Sequence, residues 1–230
     1  MSFETALRLT EILMALAFLQ ASSEHLTGPP RDRLLFGIRI ILSVLLLMGV
    51  MVPWVLVALC VLALIILHRF QGPYNGGSDK MGLLILTCLT LAHCIPDPVW
   101  KERMLGYLAV QLVLCYFISG EIKIINPEWR RGRALQDVFR FSAYPVSEGL
   151  RDLANWPRLL WAMSWAVMLF EVLFPIALLA QSWLILALCI AALFHLSNAI
   201  FFGLNRFFWI WISAYPSLLW FQDRVFNVAV

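Results

Sequence analysis

Charge is what this 230-residue sequence has least of: Lys, Arg, Asp and Glu together make up 13% of it, against 62% hydrophobic residues. Soluble domains carry about twice that share of charge. The scarcity therefore excludes a soluble globular class, and a mean hydropathy of +0.83 points to an all-α, polytopic bundle of transmembrane helices. The five cysteines form no CxxC pair and no Cys/His metal spacing, which leaves no candidate metal site and makes them small apolar packing residues. Repeats, low-complexity tracts and long linkers are also missing. One membrane domain over residues 1–230 is the simplest organisation, and the lack of a duplicated pattern argues against a transporter. With no soluble region to carry a basic face, the net charge of +3 concerns orientation in the lipid bilayer, and nucleic acid is not expected as a partner.

A bilayer crossing needs about 20 apolar residues. Such runs follow one another at Leu34 to Val50, Trp54 to Leu67, Met81 to Ile95, Leu105 to Ile122, Leu159 to Ala180, Trp183 to Gly203 and Phe207 to Phe221. Pro53 marks the tight turn between the first two. Residues 3–25 hold Glu4, Arg8 and Glu11 on one side and no small-residue cleavage site, so they read as a further helix, spanning or interfacial, rather than a signal peptide. Seven spans are expected, or eight if this helix crosses. Arg130, Arg131, Arg133, Arg140, Arg151 and Arg158 crowd the connection at about 124–158, which the positive-inside rule places in the cytoplasm together with the loops holding Arg31, Arg33, Arg69 and Lys80. Trp129, Leu135, Val138, Phe139 and Phe141 interleave with these arginines, as in interfacial helices. Arg130, Arg131 and Arg133 are candidates for an anionic headgroup, and topological anchoring is the plainer account of them.

Glu171 and His195 lie inside consecutive runs, where an ionised side chain costs roughly 2.5–3.5 kcal/mol and needs a partner or a task. At about 1.5 Å rise per residue, counted from Gln181, Glu171 falls about 15 Å along its helix and His195 about 20 Å along the next. The two are expected to face each other in a sheltered hollow, either as a hydrogen-bonded clamp or as a catalytic pair. Tyr107, Gln111, Cys115, Ser119 and Lys123 recur every four residues on one helix face. His195, Asn198 and Asn205 form a second row, and Ser164, Met168 and Glu171 a third. Three polar rows in lipid would be costly, so they should converge inside the bundle. Lys123 alone, at the mouth of its helix, fits a snorkelling lysine. Gly72, Pro73, Asn75, Gly76 and Gly77 crowd the stretch Gln71 to Asp79, a tight connection or an anion cradle, with Asp79 capping the next helix.

Tyr116-Phe117-Ile118-Ser119-Gly120-Glu121-Ile122-Lys123, followed by Pro127-Glu128-Trp129-Arg130-Arg131-Gly132-Arg133-Ala134-Leu135, resembles the block "small-Gly-x-x-Lys, then Trp-x-x-Gly-x-Ala-Leu" of the horizontally transferred transmembrane (HTTM) domain family. Phe170-Glu171-Val172-Leu173-Phe174-Pro175 is similar to that family's Phe-Glu-x-x-Phe-Pro helix, and Phe194-His195 with Phe201 to Ile212 to its His-bearing segment. The family includes the membrane domain of vitamin K-dependent gamma-carboxylase. The resemblance implies a functional lysine at Lys123, acting as a base toward a hydroquinone, and a quinone or hydroquinone as ligand. The carboxylase's early-loop histidine has no counterpart in Gly72 to Lys80, and the sequence ends at Val230 without a region for peptide recognition, so peptide glutamate carboxylation is not expected.

Two classes of function stay open. One is an oxidoreductase or carboxylase-like enzyme with Lys123, Glu171 and His195 as catalytic groups, supported around a quinone- or lipid-like ligand by Gln111, Ser119, Asn198 and Asn205. The other is a non-catalytic accessory subunit that packs against membrane-protein partners and holds lipid or cofactor at the seam. Its motivation is the small polar mass and the ten tryptophans, several near span ends. The resemblance suggests a bacterial inner membrane.

Overall fold

The computed structural model describes residues 1–69, 76–142 and 147–226, and every regular element among them is helical. The order is α1 Phe3–Ser23, α2 Pro30–Met48, α3 Val52–Arg69, α4 Gly76–Cys94, α5 Pro98–Ile125, α6 Pro127–Arg130, α7 Arg133–Phe141, α8 Pro157–Leu173, α9 Gln181–Phe202 and α10 Asn205–Phe226. Two 3-10 helices, Glu148–Asn155 and Phe174–Leu179, precede and follow α8. Among the described residues, five stretches are long and apolar enough to cross a bilayer: α1, α3, α5, Pro157–Leu179 and α9. The helices α2, α4 and α10 fill the remaining apolar runs and carry charge, notably Arg39 within α2 and Arg206 in the first turn of α10.

Proline, glycine and a carboxylate set the helix limits. The α2–α3 turn is made by Gly49 at φ 73, whose N–H reaches the Leu45 and Leu46 carbonyls, and by Met51 at φ 49. Pro53 therefore sits in the first turn of α3 rather than in the turn itself, a place where its missing N–H costs nothing. One oxygen of Asp97 accepts from the N–H groups of Val99 and Trp100, at 2.8 and 3.2 Å, and so starts α5. Helix α8 gives way to 3-10 geometry at Phe174-Pro175, because Pro175 has no N–H for the carbonyl four residues earlier, which belongs to Glu171. Gly203 at φ 66 closes α9 with bonds to the Ala199 and Asn198 carbonyls.

Two compact units result, Met1–Val110 with Asn205–Val230 and Gln111–Leu204. In the first, α1 packs against α10 and α2, and α3 against α4, around buried Met14, Phe36, Leu56 and Leu86. The second contains the last turns of α5 with α6 to α9. There the amphipathic α7 buries Phe139, which joins Ala154, Leu160, Phe201 and Phe202 in one apolar cluster. The basic segment expected at about 124–158 is thus α6, α7 and a 3-10 helix, with 143–146 outside the described residues. Of the glycine-rich stretch Gln71 to Asp79, residues 71–75 also lie outside them.

Candidate functional site

Helices α5 and α8 meet at Gly120. A Cβ there would lie 2.8 Å from the Glu171 Cβ, the Val172 Cγ2 and the Val172 backbone nitrogen, so only glycine allows this approach. The contact places Glu171, 3% exposed, one helical turn from Lys123 of α5. Nζ of Lys123 donates to Glu171 Oε1 and Oε2 at 2.8 and 2.6 Å and to Ser119 Oγ at 2.9 Å. Three donors on one ammonium thus find three acceptors. Trp129 lies with its ring centroid 5.5 Å from Nζ, within cation–π range. Its own carbonyl accepts from Ser164 Oγ at 2.7 Å, and the Arg130 carbonyl accepts from Trp165 Nε1 at 3.1 Å, which ties α6 down onto α8.

About two turns back along α5, the Tyr116 hydroxyl lies 3.0 Å from His195 Nε2. Tyr116 is buried and stacks on Phe174 at 4.2 Å, with Phe170 edge-on at 6.0 Å. The expected face-to-face pairing of Glu171 with His195 is thereby replaced. Each engages α5 at its own level, Glu171 at Lys123 and His195 at Tyr116, seven residues or about 10 Å apart along the helix. Lys123, read from sequence as a snorkelling group, is an internal ion-pair partner whose side chain is only 16% exposed.

Of the other expected site residues, Ser119 joins the cluster. Gln111 lies three turns further along α5 and is half-buried, and Asn198 is half-buried one turn beyond His195 on α9. Asn205 leaves the row assigned to it: α9 stops at Phe202, Gly203 reverses the backbone, and Asn205 opens α10 as an exposed residue. Helical spacing was counted through a helix end. Arg130, Arg131 and Arg133 are exposed, and the nearest carboxylate contacts are Glu128, 4.0 Å from Arg131 and 3.4 Å from Arg133, and Asp137, 3.9 Å from Arg133. Further along the same segment, Arg151 holds the exposed Glu148 carboxyl below the usual carboxylate range by hydrogen bond and charge.

Sequence reasoning missed Tyr116 and, in the first unit, the buried roles of Arg8, Glu11, Arg39 and His93. Glu11 of α1, 2% exposed, lies 2.5 Å from His93 Nε2 of α4 and 2.8 Å from Arg8 Nη1, while Arg8 also donates to the Leu46 and Leu47 carbonyls. Arg39, 6% exposed, donates from Nε to Ser22 Oγ at 2.7 Å and lies over the rings of Phe18 and Phe36. The signal for Glu11 and Arg39 was the one applied to Glu171, a charge inside an apolar run. For Tyr116 it was a single residue's offset from the polar row on α5.

No curated protein and no solved structure matches the chain. The sequence model of the HTTM domain matches residues 95–223, which include Tyr116, Ser119, Lys123, Glu171 and His195 and more than half of the chain, so the protein belongs to the HTTM domain family.

Proposed function

We propose that this integral membrane protein binds a hydroquinone-like, lipid-soluble hydroxyl compound beside Lys123 and Glu171 and takes a proton from it. The observation that carries the reading is the bidentate contact of Lys123 Nζ with both Glu171 oxygens, the two side chains being 16% and 4% exposed. At 2.6 Å the ammonium and the carboxylate are close enough for one proton to pass between them. Glu171 accepts a proton from the Lys123 ammonium, and the free amine then accepts the ligand's hydroxyl proton. A phenolate is left beside a restored ammonium and a protonated Glu171, with charge conserved throughout. Ser119 holds Nζ in place, and Tyr116 with His195 supplies the aromatic and polar wall on the same face of α5. Family membership supports the ligand class, since the related carboxylase domain acts on a hydroquinone.

Within this reading the chain is one membrane domain. Helices α2, α4 and α10 complete seven crossings and α1 adds an eighth, in a bacterial inner membrane. The test uses the full chain in lipid nanodiscs with a naphthohydroquinone, following the absorbance of its anion. Saturable anion formation that disappears in Lys123→Met and Glu171→Gln supports the reading; undiminished anion formation in both variants removes it. A non-catalytic accessory subunit is the second reading, and the observation favouring it is the closure of the cluster, in which every Lys123 donor is already satisfied. It predicts stoichiometric membrane-protein partners that stay attached in mild detergent and no change in the hydroquinone spectrum.

A further inference from the structure

The hairpin of α2 and α3 carries two matched stripes on its outer side. Along α2 run Arg31, Leu34, Leu35 and Ile38, and along α3 run Val61, Leu64, Ile65 and His68, each at the i, i+3, i+4, i+7 spacing of one helix face. Both stripes pass from a basic residue to apolar ones. The helices are joined by a short turn and run in opposite directions, so the basic ends coincide. Between them lies a groove of about 730 Å³, lined by Arg31, Leu34, Leu35, Leu64, Ile65 and His68 with Arg69 at its end. That volume is within the range of about 300–1,000 Å³ typical of small-ligand sites. Its apolar walls are open to the surroundings, Leu34 being 65% and Leu64 54% exposed.

The charges at the basic end are not spent on one another. Arg69 is paired with Asp32 at 2.7 Å, whereas Arg31 has no acidic partner among the described residues. The first turn of α2 adds the positive end of its dipole, and its N-cap Pro29 supplies no side-chain hydrogen bond to the helix amides. Beneath the groove, Phe36, Leu62 and Ile66 hold the helices together, so its floor is built by the fold.

We infer that this groove is a binding site for an anionic phospholipid, with one acyl chain lying between α2 and α3 and the phosphate against Arg31 and His68. It shares no residue with the Lys123–Glu171 cluster or with the basic segment at α6 and α7. Charge complementarity names the occupant. An uncharged apolar chain would fill the walls and leave Arg31 unanswered, and a free phosphate would leave the apolar walls bare. The walls also sit on the side of the membrane that the distribution of arginines assigns to the cytoplasm.

Native mass spectrometry of the full chain, released from mild detergent with equimolar phosphatidylglycerol and phosphatidylcholine of matched chains, tests the site. The wild-type chain is expected to retain one phosphatidylglycerol in preference to phosphatidylcholine. R31Q/H68Q should lose that preference by about fivefold, the share of the permanent charge on Arg31. Leu34→Trp with Ile65→Trp, which fills the apolar walls, should lose the bound lipid of either headgroup while melting at the wild-type temperature. A preference that survives R31Q/H68Q, or that vanishes instead in Arg130→Gln/Arg131→Gln, overturns the assignment, as does lipid retained by the tryptophan variant. If R31Q/H68Q does not fold, the tryptophan variant decides alone.

Discussion

Two buried carboxylates, Glu11 in α1 and Glu171 in α8, are almost equally sheltered and differently partnered. Glu11 shares itself between His93 and Arg8, whose guanidinium also ties the carbonyls at the end of α2. Arg8 survives its loss with two carbonyls at hand, and the His93 side chain is 25% exposed. Among the described residues Glu171 faces a single lysine whose one other acceptor is the Ser119 hydroxyl, and the pair depends on a glycine that lets two helices touch. The first arrangement is a redundant tie between helices. The second is a two-body pair, in which a change at one member falls wholly on the other, and that is the property proton exchange needs.

The contrast predicts unequal costs. Glu171→Gln should destabilise the protein most, by about 3–5 kcal/mol, because it strands a buried ammonium, and the double change Lys123→Met with Glu171→Leu should recover most of that loss. Denaturant unfolding in detergent measures both, and a double variant no more stable than the single would show that the lysine is not the stranded partner. Gly120→Ala comes next, at about 1–3 kcal/mol, since the nearest atoms include backbone of α8 that cannot step aside. The same variant should abolish the hydroquinone spectral change even where folding is retained. Glu11→Gln is expected to cost about 1–2 kcal/mol, the net loss of one charge-assisted hydrogen bond with Arg8 still held by two carbonyls and His93 partly exposed. A cost equal to that of Glu171→Gln would erase the distinction.

The smallest effect concerns His25, between α1 and α2. Burial lowers its pKa from 6.5, and the charges of Arg206 and Arg39 lower it further. A histidine depressed in the folded state contributes stability that is present above pH 6.5 and is lost as pH falls toward its folded value. Melting temperature should therefore decline on acidification below pH 6.5, and His25→Gln should flatten that part of the profile. A profile identical in the two proteins would assign the decline to other groups.

Helix positions were legible because hydropathy runs and Gly/Pro punctuation are local. Gly203 ends a run as expected, whereas Pro175 breaks the run Leu159 to Ala180, which hydropathy alone reads as one helix. Ser119 and Lys123 were legible as neighbours for the same reason, since four residues make one turn. The row through Asn205 misled because periodicity is blind to where a helix ends, and Gly203 ends α9 two residues earlier.

Composition and periodicity alone determined that this chain is a bundle of bilayer-length helices with a few ionic groups that must be answered indoors, because the cost of burying charge applies wherever the partner lies. Which partner answers was decided by tertiary structure. Glu171 meets Lys123 rather than His195 because α8 closes on α5 at Gly120, where there is no side chain to hold them apart, and that register is fixed by the packing of residues some fifty positions apart, 48 for the ion pair itself.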